Sequence, residues 1–257
     1  MLVRDAPNLE LDMTIRRRDL LTGTVVALVS ERLASAEVVS GKLPWNPDSA
    51  TPPQPVKPGP WEFFTAEEAA TVEALVDRLI PPDAQTPGGK DAGCAVFIDR
   101  QLTGGYGHQE GLYNLPPFHD GIEQQGPQSP KGPADMYRAA IAALNRYCRT
   151  QSQNGQNSGA FDTLPVARQD EILRGLESKA ISLEGADGKK FFELLLKDTM
   201  QGFFADPIYG GNRDMCAWKM IGFPGARYDY RDWITRHNER YPYPPVGIRG
   251  RREWTPG

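Results

Sequence analysis

Apolar residues in this chain recur at helical spacing, and nowhere do they alternate convincingly at the two-residue spacing of a half-buried strand; that restricts the chain to an all-α fold. Thr65-Ala66-Glu67-Glu68 reads as a capping box, with Thr65 capping a later amide and Glu68 reaching back to the Thr65 amide. Behind it Ala69, Val72, Leu75, Val76 and Leu79 share one helical face, and Pro81-Pro82 stop the helix. A second helix is expected from Cys94 to Leu102, with Ala95, Ile98 and Leu102 facing inward and Gly104-Gly105 ending it. Pro133 suits the first turn of a third, whose stripe runs through Met136, Tyr137, Ala140, Ile141, Leu144, Tyr147 and Cys148. Pro165 opens a fourth carrying Ile172, Leu173 and Leu176. The fifth, from about Lys189 to Phe204, is apolar nearly all round, so it is either the central core helix or lies with one face against another protein.

The 26 glycines and 23 prolines gather between these segments, as in a helical protein with long, ordered connections. Residues 104–132 lack periodicity, and a loop of that length inside a compact domain is usually functional or an interface. Residues 151–160 form a polar linker. The expected architecture is therefore one helical domain of about five main helices over residues 61–257, ending in a proline-rich tail.

Upstream of that domain, Arg17-Arg18-Asp19-Leu20-Leu21 leads into an apolar run from Leu20 to Val29. A paired basic n-region before a short, moderately apolar h-region reads as a twin-arginine export signal. Ala34-Ser35-Ala36 supplies a small-residue cleavage site, so residues 1–36 are the signal and the mature chain begins near Glu37. The apolar run falls well short of the ~20 residues a spanning helix needs, and no other stretch of the chain approaches that length. Residues 37–60 are proline-rich and read as a semi-rigid tether, or as an arm draped over the domain and anchored by Trp45 and Trp61. The twin-arginine route carries folded proteins, often with a cofactor in place. A chain with this address either folds around a cofactor or leaves attached to a partner that does.

Composition narrows the chemistry. The leader's arginines are balanced by its acids, so the net charge of −4 belongs to the mature part. A weakly acidic domain without a basic stripe has no electrostatic reason to bind nucleic acid. Cys94, Cys148 and Cys216 are the only cysteines; they form no C-x-x-C, and an iron–sulfur cluster normally wants four thiolates. His108, His119 and His237 show no i, i+4 pairing, so no metal site is expected. Gly104-Gly105-Tyr106-Gly107 and Gly210-Gly211 lack the strand-before-helix context of a dinucleotide loop and read as turns. Cys216 with His237 is a conceivable nucleophilic pair, set against a packed cysteine beside a surface histidine.

The most distinctive stretch runs from Phe203 to Gly225. Asp206-Pro207 ends a helix, Gly210-Gly211-Asn212 suits positive φ, and Pro224-Gly225 makes a further turn. Tyr209, Arg213, Trp218 and Phe223 are residue types enriched at interface hot spots. Two readings fit equally: an interface, or Arg213 paired with an acid and the aromatics filling a core beneath a long loop.

At these residues the chain closely resembles the gluconate 2-dehydrogenase subunit 3 family. The matching pieces are Phe64-Thr65-Ala66-Glu67-Glu68, Leu79-Ile80-Pro81, Asp206 to Asp214, Trp218 to Gly225 and Tyr228-Asp229-Tyr230-Arg231; the ending around His237-Asn238-Glu239 and Tyr241-Pro242-Tyr243-Pro244-Pro245 also fits. Together they cover roughly residues 61–248. Cys216-Ala217 departs from the family pattern, where a small apolar residue and then glycine are expected; that leaves the local turn geometry open and offers Cys216 to an intermolecular disulfide. The resemblance implies a non-catalytic small subunit of a periplasmic, membrane-associated sugar or sugar-acid dehydrogenase. The large subunit would be a glucose–methanol–choline-type flavoprotein holding FAD, exported folded as passenger of this chain's twin-arginine signal, with a multihaem cytochrome c where present. No cofactor is then expected in this chain, and the interface would use Tyr209, Gly210, Gly211, Asn212, Arg213, Trp218, Phe223, Pro224, Tyr230 and Tyr241, with the 104–132 loop and the tail. The alternatives are an independent periplasmic enzyme, working through Cys216 or scattered carboxylates, and a carbohydrate-binding or scaffold protein.

Overall fold

The computed structural model describes residues 55–57, 59–112, 114–119, 121–122, 124, 126, 128–150, 159–227 and 229–250. The expected export signal (Arg17, Arg18, Leu20, Leu21, Ala34, Ala36), most of the expected 37–60 arm, most of the 151–160 linker and Tyr228 lie outside the described residues.

Six α-helices and no strand are present among the described residues. Helix α1 (Ala66–Leu79) begins at the expected capping box: the Glu68 amide donates to the Thr65 hydroxyl at 3.2 Å, and the Thr65 amide donates to the Glu68 carboxylate at 2.9 Å. Helix α2 (Cys94–Thr103) follows Gly93, which takes φ 84° at its start. Helix α3 (Pro133–Thr150) carries the expected stripe, with Tyr137, Ala140, Ile141, Leu144 and Cys148 buried. Helix α4 (Val166–Glu177) starts one residue after Pro165, and α5 (Gly188–Phe204) is capped by Asp187, which accepts from the Lys190 amide at 3.0 Å. The sixth helix, α6 (Cys216–Ile221), falls where the sequence shows only turns. Six residues are less than two turns, too few for a 3.6-residue period to emerge.

Helix α5 is the central one and packs against each of α1, α2, α3 and α4. Phe191, Phe192, Leu195 and Phe203 are buried there, each such side chain contributing about 1.5–3 kcal/mol on burial. Tyr137 meets Phe191 edge-on at 5.5 Å, joining α3 to this core.

Buried polar groups fix how the helices are joined. The Asp99 carboxylate, fully buried on α2, accepts from the amides of Glu62, Phe63 and Phe64 at 2.9, 3.0 and 2.9 Å and pairs with Arg100. Those three donors precede α1 and would otherwise be orphaned. Asn145 on α3 accepts from the Phe161 amide at 3.0 Å and donates to the Thr71 hydroxyl on α1 at 3.0 Å. Asp198 on α5 accepts from the hydroxyls of Tyr106 at 2.6 Å and Tyr137 at 3.0 Å, which ties the start of the long 104–132 loop to the core.

Candidate interaction surface

The segment from Asp206 to Gly225 is built by brackets that close on its own neighbours. The Asp206 carboxylate accepts from the Ile208 amide at 3.0 Å and from the Ile248 amide at 2.6 Å, so one side chain caps a turn and holds the C-terminal tail. Gly210 follows at φ 94°. Gly211 lies against α5 so closely that a Cβ there would sit 2.1 Å from the Gly202 carbonyl oxygen. Asn212 is fully buried at φ 44°, a left-handed conformation that asparagine tolerates better than most residues. Its amide group donates to the Ala205 carbonyl at 2.9 Å, and its carbonyl accepts from the Ala217 amide at 3.0 Å. Asn212 thus joins the end of α5 to the start of α6.

Arg213 donates its amide to the Ala92 carbonyl at 3.0 Å, while its side chain is exposed. Asp214 and Met215 also take positive φ, 54° and 56°, before α6 begins. Cys216 and Ala217, where the sequence left the local turn geometry open, form the first turn of α6. Trp218 is only 5% exposed; its indole donates to the Phe204 carbonyl at 2.9 Å, and its ring meets Phe223 edge-on at 5.2 Å. Beyond Phe223, Val246 donates to the Pro224 carbonyl and accepts from the Ala226 amide, closing the neck of the tail at 3.2 and 2.7 Å. Inside that tail Trp233, Tyr241 and Tyr243 meet edge-on at 5.0–6.5 Å, Tyr230 lies 6.0 Å from Tyr241, and the Arg227 guanidinium sits over Tyr241 at 5.1 Å.

The ten residues proposed from sequence for the interface therefore fall into two groups. Gly211, Asn212 and Trp218 are buried and serve the scaffold. Tyr209, Gly210, Pro224 and Tyr241 are half-buried, and Arg213, Phe223 and Tyr230 are exposed. Of the aromatics, Trp218 fills the core, and Phe223 leans on it from outside. Met220 and Ile221 were missed from sequence, yet they are 50% and 57% exposed beside Phe223 at 44%. On α5, Leu196 and Met200 are likewise left at the surface. No local signal separates these from core residues, because an apolar side chain on a helix reads the same whichever way the helix is turned.

Burial disfavours the thiolate at the two cysteines of this region. Burial pushes the Cys94 thiol up to about 12, with nearby Cys216 adding to the shift, and burial also raises Cys216 itself. The Cys216 sulfur lies 3.8 Å from the Asn212 side-chain oxygen. A cleft of about 570 Å³ lies between the start of α3 and the start of α5. Among its charged residues, Arg138 already binds Glu68 and the Phe63 carbonyl, and Asp187 caps α5. Among the described residues, no group of three His, Cys, Asp or Glu is placed to hold a metal ion, and no helix is long and apolar enough to cross a membrane.

The model of the family described as gluconate 2-dehydrogenase subunit 3 matches residues 66–225, from the first residue of α1 to the glycine at the neck of the tail. The chain belongs to the gluconate 2-dehydrogenase subunit 3 family. Membership associates it with the other subunits of a gluconate dehydrogenase. No curated protein and no solved structure matches the chain. The matched region takes in the whole bracketed segment, so the features built around Asp206, Asn212 and Trp218 are read here as those of a family member.

Proposed function

We propose that this chain is the non-catalytic small subunit of an exported, FAD-dependent sugar or sugar-acid dehydrogenase of the gluconate 2-dehydrogenase type. Its catalytic partner is a glucose–methanol–choline-type flavoprotein, which the chain clasps, stabilises in its FAD-loaded fold and accompanies through the twin-arginine translocase to the periplasm. Electrons then pass to a membrane-associated acceptor, through a multihaem cytochrome c where one is present. The observation that carries this reading is family membership over residues 66–225. It is supported by a segment whose scaffold side chains are satisfied internally while Arg213, Met220, Ile221 and Phe223 remain exposed beside it. Apolar side chains gathered at a surface mark interaction sites more often than scattered ones do. The Arg17-Arg18 pair and the apolar run after it support export.

The test is affinity capture of the tagged chain from its native periplasm or membrane, followed by mass analysis and a visible spectrum. Recovery of a stoichiometric flavoprotein with flavin absorbance is expected. A chain recovered alone, folded and colourless refutes the subunit reading. Changing Arg17 and Arg18 to Lys is expected to stop dehydrogenase activity from reaching the periplasm, and full activity there refutes the export role.

A further inference from the structure

The chain enters its helical domain through two fastenings that differ in how they are made. The nearer is Asp99, whose carboxylate takes the amides of Glu62, Phe63 and Phe64, 35 to 37 residues away in sequence. It needs only α2 to be in place. The farther is at Val56, whose amide donates to the Ile208 carbonyl at 2.8 Å. There the Val56 side chain packs on Gly210: a Cβ on that glycine would lie 3.1 Å from both Val56 Cγ1 and Val96 Cγ1. Ile208 sits in the turn capped by Asp206, and the same Asp206 carboxylate holds Ile248 of the C-terminal tail. The farther fastening therefore exists only once the turn around Ile208 has formed, 152 residues further along the chain.

We propose that Pro55–Lys57 is a strap that seats on the Asp206–Gly210 turn once that turn is in place, and that it releases without opening the helical core. One backbone hydrogen bond and one valine hold it, against three charge-assisted bonds at Asp99. Release frees the residues ahead of Pro60, whose carbonyl accepts from Arg100 at 3.1 Å, and so lengthens the free chain by up to about 17 Å. Under the accessory-subunit reading, on which this consequence alone rests, that added length is slack in the chain between the helical domain and the twin-arginine signal proposed ahead of it.

Hydrogen exchange on the full chain decides the matter without any partner, so its failure is separable from failure of the proposed function. The Val56 amide is expected to show protection of about tenfold, that of a single net hydrogen bond, and the Phe64 amide at least ten times more. In Asp206→Ala, Val56 should exchange at the free-chain rate while Phe64 and α1 keep their protection. Val56→Pro, which removes the donor and leaves the turn untouched, should open the residues ahead of Pro60 to a non-specific protease with the thermal midpoint unchanged. Free-chain exchange at Val56 in the natural sequence overturns the proposal. So does joint loss of protection at Val56 and Phe64 in Asp206→Ala, or unaltered protease resistance in Val56→Pro. Should Asp206→Ala not fold, the Val56→Pro result stands as the deciding one.

Discussion

Replacing Asn212 by alanine removes both bonds that join α5 to α6 while keeping the backbone at φ 44°. The Ala217 amide is buried and loses its acceptor, which costs about 1–3 kcal/mol. The Ala205 carbonyl is only partly buried, and losing its donor costs about 0.5–1.5 kcal/mol. Alanine in the left-handed region adds roughly 1 kcal/mol that asparagine largely avoids. The total is about 3–5 kcal/mol, a large share of the ~5–15 kcal/mol that holds an ordinary domain together. For a domain of this size each kcal/mol lowers the thermal midpoint by about 2–4 °C, so a fall of roughly 6–20 °C is expected. Urea and thermal unfolding of the chain, followed by far-ultraviolet circular dichroism, measure the two. Asn212→Gly separates the causes: it loses the same bonds without the strain and should recover about 1 kcal/mol. A loss below about 1 kcal/mol in Asn212→Ala refutes the bracket, as does a glycine variant less stable than the alanine one.

Three further outcomes follow from the same contacts. Gly211→Ala places a Cβ 2.1 Å from the Gly202 carbonyl oxygen, backbone against backbone, and overpacking of that kind should cost at least about 1–3 kcal/mol in urea unfolding; a neutral result removes the close approach. Burial holds the Asp198 carboxyl above the ordinary range, outweighing the hydroxyls of Tyr106 and Tyr137 that lower it. A raised folded-state value gives stabilisation that is complete below the unfolded carboxylate's value, about 4, and is lost as pH rises through the folded one. Asp198→Asn, which cannot ionise, should flatten that part of the pH profile of unfolding, and an unchanged slope counts against the burial argument. Ile221→Glu, on an exposed position of α6, should leave stability within about 0.5 kcal/mol yet lower recovery of the flavoprotein in capture; undiminished recovery takes Ile221 out of the interface.

The helices were legible because their signals are local. Thr65 and Glu68 are three residues apart, Pro81 follows its helix directly, and the α3 stripe repeats within each turn. The Asp206–Gly225 block was legible as turn chemistry: positive φ falls at Gly210 and Asn212 as expected, though not at Gly211, which the close approach to Gly202 explains instead. Its inward and outward sides were not. Asn212 reads as a surface turn residue, yet it is fully buried and both of its side-chain bonds are made inside the protein. Asp99 has nothing in its neighbourhood to mark it, since its backbone donors lie more than thirty residues earlier.

By itself, then, the sequence determined an all-α domain, where its main helices begin and end, and the family to which it belongs, because spacing, caps and stops act over a few residues. Only the tertiary structure decided that Trp218 turns in while Ile221 turns out, that Asp206 holds the tail, and that Val56 lies on Ile208. Those choices rest on bonds between residues that chain connectivity leaves far apart. Each such closure costs entropy that no local preference repays, and the packed core alone makes it favourable.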